Sequence, residues 1–411
     1  MKILFIHQNF PAQFKHLAPK LVEQGHEVWA LVLKEHSPEL WRGVKLITYQ
    51  PKTGSSPKIH PWVVDLETKI IRGEAAFHAA WKLKQQGFEP DLIIAHPGWG
   101  ESLFIKNVWP QSRLAMYCEF FYRSHGLDTN FDPEFSTQTI DDNCRIQIRN
   151  LNNLLHFEIA DAGISPTQWQ ASTFPESFRQ KITVIHDGID TELAKPNPNV
   201  SLTLNHQLTL TRKNEIITFV NRNLEPYRGY HIFMRCLPEL LRRRPQARIL
   251  LIGGDQVSYG ARPKKGQSWK QIFLDEIKPQ LSEQQLSRIH FLGNVSYEHF
   301  LWVLQLSTIH VYLTYPFVLS WSLLEAMSIG CTIVASDTPP LHEVIQPNYN
   351  GQLVNFFDHS AWVEQICELL NQPKQRQQLS INARQFVQQN YDLKRHCLPK
   401  QLEWVNQLLS H

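Results

Sequence analysis

Short apolar runs along this chain alternate with stretches whose apolar residues recur at helical spacing. Residues 2–6 (KILFI) read as a buried strand. Residues 14–24 then put Phe14, Leu17, Leu21 and Val22 on one helix face, and Gly25 ends that helix. Residues 26–33 form the next strand. Further strands are predicted at 91–95, 114–117, 162–164 and 182–185, with helices over 99–108 and 146–159. A second series starts near residue 215. Its strands are predicted at 216–220, 248–252, 288–292, 309–313 and 332–335, and its helices at 230–242, 361–370, 373–389 and 393–409. Such β-α alternation predicts α/β domains, each a doubly wound parallel sheet with helices on both faces.

Two series in 411 residues imply two domains, because one core does not ordinarily grow that large. The first is expected over residues 1–195 and the second over 214–392. Residues 196–213, with Pro196, Pro198 and several asparagines, read as a linker. The helix in 393–411 has an apolar face and is expected to pack back on the first domain. Ligands of open α/β sheets sit beyond the carboxyl ends of the strands, so the two Rossmann-like domains are expected to face a cleft.

Composition narrows the class. Charged residues make up 19% and hydrophobic ones 42%, which is globular, and the formal charge of +3 with no basic–aromatic run argues against nucleic acid. Six cysteines without a C-x-x-C pair point to reduced thiols and a cytoplasmic protein. The opening MKILFIHQNF is not expected to be a signal peptide, and no segment approaches the ~20 apolar residues of a membrane span. Peripheral contact with the inner membrane face stays open, as does the oligomeric state.

Several segments have the chemistry of a nucleotide site. In residues 316–337 (PFVLSWSLLEAMSIGCTIVASD) a helix opens at Trp321-Ser322 after an apolar run, with Glu325 expected in its first turn. Free N–H groups at such an opening suit a phosphate, and a carboxylate just beyond suits ribose hydroxyls. In residues 220–233 (VNRNLEPYRGYHIF) a strand ends in a loop bearing Arg222 and Arg228, and Gly229 opens a helix. Two cations there suit a diphosphate leaving group. Gly253 and Gly254 in IGGDQVSYG permit close backbone approach. The segment AHPGWGESL puts His96, Trp99 and Glu101 past a first-domain strand, where a plain capping turn would account for them equally well. Glu119 follows another strand in AMYCEFFYR, and Gln8 and Asn9 lie in the first loop. With no D-x-D or H-E-x-x-H, metal-independent chemistry is expected and no metal ligands are assigned.

These segments resemble glycosyltransferase family 4, whose members have the GT-B fold and retain anomeric configuration. The LLEAM-x-x-G-x-x-V core and the G-R-L…K-G donor loop carry the resemblance. Arg222 matches the loop's arginine, and Arg228 stands where the lysine would, with one extra residue between. Glu325 matches the second of two family glutamates, the one that meets the ribose. The first, which helps hold the donor sugar, is replaced by Phe317, and the glycines after it by Val318, Leu319 and Ser320. Residues 291–304 resemble the segment that touches the base, and Gly25-His26-Glu27-Val28 the usual structural turn. The segments SPTQWQ and IHDGIDTEL also fit the family, with His186 and Asp190 read as structural.

The resemblance implies catalytic roles for Arg222, Arg228, Glu119 and His96. It implies donor binding by Glu325, Phe317, Ser320, Trp321, Ser322, Leu324, Gly253 and Gly254, and acceptor contacts by Gln8, Asn9 and Trp99. It further implies a nucleotide-diphosphate sugar as co-substrate, no cofactor, and a glycan, lipid-linked or small-molecule acceptor. A non-catalytic sugar-binding scaffold and a nucleotide-sugar epimerase are the rival readings. A dehydrogenase is not, since neither half has G-x-G-x-x-G after its first strand.

Overall fold

Sixteen strands are described in the computed structural model of residues 1–33, 38–136, 139–205 and 207–410. The chain divides into two units. One holds Met1–Phe131, Ser136–Gly188 and Lys394–His411, and the other Asp132–Phe135 and Ile189–Leu393.

Eight strands are described in the first unit. These are β1 (Lys2–Ile6), β2 (Glu27–Val32), β3 (Leu40–Trp41), β4 (Val44–Thr48), β5 (Leu92–Ala95), β6 (Arg113–Tyr117), β7 (Ala162–Ser165) and β8 (Ile182–Val184). They lie in the order β3-β4-β2-β1-β5-β6-β7-β8. Only β3 runs antiparallel, on the edge against β4. Leu4 pairs with Trp29 on one side and Ile93 on the other, so the order of connection reverses between β1 and β5. Ligands of open sheets collect at such a reversal.

Alternate residues of these strands feed opposite faces. Ile3, Phe5 and Ile94 pack with Trp404 and Val405 of the helix Leu398–Ser410. Leu4, Ile6 and Ile93 pack with Ala76, Ala80 and Leu83 of the helix Val64–Gln85. The apolar pattern does not predict that second helix, because its buried side is Lys69, Gly73, Ala76, Ala80 and Leu83, mostly small residues. Small residues let backbones approach, and a Cβ on Gly73 would lie 2.8 Å from the Gly100 carbonyl oxygen.

The helix expected over 99–108 is shorter than its pattern. A 3-10 turn spans Pro97–Trp99, Gly100 takes φ 93°, and helix resumes only at Ile105–Val108. The left-handed glycine breaks the run.

The second unit adds β9 (Ser201–Leu204), β10 (Leu208–Thr211), β11 (Ile216–Asn223), β12 (Arg248–Gly254), β13 (Ile289–Gly293), β14 (Ile309–Tyr312), β15 (Ile333–Ser336) and β16 (Gln352–Val354). Six of them form a parallel sheet in the order β13-β12-β11-β14-β15-β16, which reverses between β11 and β14. The stretch 196–213, expected as a linker, instead carries the antiparallel hairpin β9–β10. Its leucines alternate inward, with Leu210 fully buried and Leu202, Leu204 and Leu208 packed on the core. The chain accordingly passes to the second unit at Gly188–Ile189, ahead of residue 195.

Among the described residues no helix is long and apolar enough to cross a membrane. All six cysteines are free thiols; five are buried, and Cys144 on the helix Ile140–Ile159 is half-buried. Burial pushes the thiols of Cys236 and Cys331 up to about 12.

Candidate active-site residues

In the first unit, β1 and β5 deliver His7 and His96 to the two sides of the sheet reversal. Both imidazoles are buried, at 1% and 2% exposure. The Asn9 N–H donates to His7 Nδ1 (2.9 Å) and the Gly98 N–H to His96 Nδ1 (3.2 Å). Each ring in its neutral form therefore carries its proton on Nε2. Burial, then the neighbouring His96, lowers His7 to about 3. His96 Nε2 faces Glu119 Oε2 at 3.6 Å.

His96 also sits in a three-ring stack. Trp99 stacks on it at 4.5 Å and Tyr117 at 5.5 Å between centroids. The Tyr117 hydroxyl donates to both Asp187 oxygens, at 3.1 and 2.9 Å. The fold thus brings together His96, Trp99 and Glu119, singled out in separate segments of the sequence, and sets beside them His7, Tyr117 and Asp187, which were not singled out. Glu101 turns away to accept from the Tyr49 hydroxyl (2.8 Å), and burial raises its carboxyl. Gln8 is half-buried and Asn9 exposed in the loop after β1.

In the second unit, Arg222 is an exposed residue of β11. It lines a hollow of about 570 Å³ with Gly254, Asp255, Lys270 and Asn294. A side chain on Gly254 would strike Asn223 Oδ1 at 2.6 Å, so the glycine keeps that wall flat. Gly253 is likewise shut against Leu224, 2.8 Å from where its Cβ would stand.

Arg228 is only 6% exposed. It ends the 3-10 turn Pro226–Arg228. Its Nη1 donates to Thr314 Oγ1 (2.6 Å) and the Val318 carbonyl (3.2 Å), just past the end of β14. The two arginines therefore differ: one is open to solvent, the other held beside the second sheet's reversal.

The helix expected at Trp321 is present as Trp321–Ile329, with Ser320 as its N-cap and Gly330 (φ 84°) as its stop. Three details depart from expectation. Glu325 is the fifth helical residue, one turn beyond the helix opening, and accepts from the Tyr297 hydroxyl at 2.6 Å. The N–H groups of Ser320 and Ser322 are already used, by the Tyr312 hydroxyl (3.2 Å) and Ser320 Oγ (3.3 Å). Phe317 and Leu324 are 3% and 0% exposed, so neither offers a surface. Tyr227 and Tyr259 cover Phe317, both with centroids 5.1 Å from its ring. Trp321 and Ser322 are half-buried.

Among the described residues one group has metal-ligating side chains within reach of each other: Asp132, Glu134 and His231. It does not fit a metal, because the donors are already engaged. Asp132 Oδ2 lies 2.9 Å from His231 Nε2 and accepts from the Tyr315 hydroxyl at 2.8 Å. Arg235 holds both Glu134 oxygens, at 2.6 and 2.8 Å.

Known proteins match both halves. Residues 24–194 match the Glycosyl transferase family 4 group, and residues 203–386 match Glycosyl transferases group 1. Spore coat protein SA of Bacillus subtilis is 24% identical over 243 residues, covering 54% of this chain and 58% of that protein. The chain spans about half the length of the curated relatives it matches. Sucrose-phosphate synthase from Thermosynechococcus elongatus superposes with a TM-score of 0.76 at 18% identity, over 100% of this chain and 99% of that one. HepE of Anabaena, solved with UDP and glucose, does so at 0.68 and 18%, over 99% and 100%. With a glycosyltransferase domain matched in each half and two Rossmann-like sheets to carry them, the chain belongs to the GT-B glycosyltransferases, family 4 in its first domain and group 1 in its second.

Proposed function

We propose that the protein is a retaining glycosyltransferase that moves a sugar from a nucleoside diphosphate to a hydroxyl acceptor. The acceptor is a glycan, a lipid-linked molecule or a small molecule, and the product a polysaccharide or other glycoconjugate made on the cytoplasmic side. The observation that carries this reading is Arg228. A guanidinium taken out of water is costly unless compensated; the hydrogen bonds described for its Nη1 are to neutral oxygens, and the Glu225 carboxylate, which acts on its charge from nearby, is already shared among three backbone N–H groups. Such a group at a sheet reversal is built to receive an anion. Arg222 offers a second, exposed charge.

Chemically, the two arginines neutralise the diphosphate as it leaves. Charge that grows on the departing oxygen is met by donors already in place, which lowers the barrier. The departing diphosphate then takes the acceptor's proton on the same face of the sugar, so the new bond keeps the old configuration. In the first unit Glu119, Gln8 and Asn9 offer polar groups to sugar and acceptor hydroxyls beside Trp99, and the buried His96 positions Glu119 from behind. Glu325 takes the ribose. The arginines do the work a divalent ion does in other sugar transferases, so metal is not required.

Calorimetry with UDP, GDP and ADP, first without and then with magnesium, tests the reading. UDP comes first because HepE was solved with it. One diphosphate is expected to bind selectively without metal. Arg222→Ala should weaken it about 10- to 100-fold, as a charge-assisted contact of ~1.5–3 kcal/mol would. Failure of a folded protein to bind any of the three would sink the proposal. In the same titration Glu325→Gln should cost roughly tenfold in affinity, and an unaltered Kd would remove Glu325 from the ribose.

A further inference from the structure

The turn over Arg228 is built in an unusual way. The backbone N–H groups of Ser258, Tyr259 and Gly260 all point at the Glu225 carboxylate, at 3.1, 3.3 and 3.4 Å to Oε2. Glu225 is 1% exposed. Burial raises its carboxyl, and the three N–H groups and the Arg228 charge offset part of that rise. Asn223 Nδ2 donates to Ser258 Oγ at 2.7 Å and fixes the turn a second time. Burying a carboxylate is expensive, and convergent backbone donors are what compensates it. Glu225 is also the residue immediately before the turn Pro226–Arg228. The arginine and the Ser258–Gly260 turn are therefore hung from the same few residues, and their relative placement is fixed.

That placement sets Tyr259 over the arginine. Its ring centroid is 5.3 Å from the guanidinium carbon, and the Phe317 ring is 5.7 Å away. Phe317 is buried whereas Tyr259 is 42% exposed, so Tyr259 is the outer ring of the two. The phenol oxygen also accepts a hydrogen bond from the Arg228 guanidinium, so it lies beside that charge.

We propose that Tyr259 binds the donor's diphosphate together with Arg228, its hydroxyl donating to a phosphate oxygen, and that Glu225 is the positioning residue that holds it there. This rests on the nucleoside-diphosphate reading above. The phenol supplies a neutral donor beside a fixed cation, which suits an oxyanion that gains charge as the sugar departs. It also accounts for the exposed face that Phe317, buried beneath Tyr259, does not provide.

The test uses the full chain with Tyr259→Phe, Glu225→Gln and the double variant. The probes are the nucleoside diphosphate that binds the wild type and the matching free nucleoside. Tyr259→Phe should weaken the diphosphate about tenfold and leave the nucleoside unchanged. Glu225→Gln should produce the same selective loss, and the double variant should be no worse than Glu225→Gln alone, because both changes remove one contact. Unchanged diphosphate affinity in Tyr259→Phe would overturn the proposal. So would an equal loss for the nucleoside, or losses that simply add. Absence of diphosphate binding by the wild type would instead overturn the transferase reading itself.

Discussion

Arg228→Ala is expected to lower kcat by at least ~10³-fold, the scale on which a charge-stabilising donor or arginine acts in such reactions. It is also expected to destabilise the second unit by about 1–3 kcal/mol, because Thr314 Oγ1 and the Val318 carbonyl lose their donor. The two effects separate with Arg228→Lys. Lysine keeps the charge but not the planar fork, so it should recover part of the activity while still failing to serve both oxygens. Turnover and thermal melting measured on all three proteins decide the matter. A folded Arg228→Ala protein with wild-type kcat would end the diphosphate role.

Gly229→Ala is expected to be as damaging for a different reason. Gly229 has φ 69°, and a Cβ there would lie 2.2 Å from Leu313 Cβ. The strain of a left-handed alanine is ~1 kcal/mol, and the overlap adds to it because Leu313 is itself 1% exposed and cannot retreat. A loss of roughly 3–5 kcal/mol follows, or about 10 °C in Tm for a unit of this size. Gly25→Ala is the control. Gly25 has φ 86° with nothing within 4 Å of the added carbon, so it carries the backbone strain alone. Equal melting temperatures for the two variants would show that the helix start at Tyr230 can shift away from Leu313.

What could be read from the chain follows from how each element is buried. Strands such as β1, β5 and β12 are covered on both faces, so their apolar runs are continuous and plain. The helix Val64–Gln85 is hidden because glycine and alanine, not large residues, make its contact. The hairpin β9–β10 does alternate, as SLTL and LTLT, but the prolines and asparagines before it read as linker. At the site, Arg222 and Arg228 are legible because a strand end, a short loop and a helix-opening glycine fix where they fall. The burial of Phe317 is not, because it depends on Tyr227 and Tyr259, rings distant in sequence that close over it only in the fold. The carboxylate of Glu225 is invisible for the same reason: its partners are backbone amides, which leave no mark in side-chain pattern.

The distribution of sulfur along this chain has a practical side. Five thiols are enclosed and only Cys144 is partly open. Maleimide chemistry needs an accessible thiolate, so the unaltered sequence already contains a single attachment point for a fluorophore. It lies on the helix Ile140–Ile159, in the unit that carries none of the arginines assigned to the diphosphate. A dye there can report on the folding or motion of that unit while nucleotide is titrated into the other, with no cysteine engineered in or out.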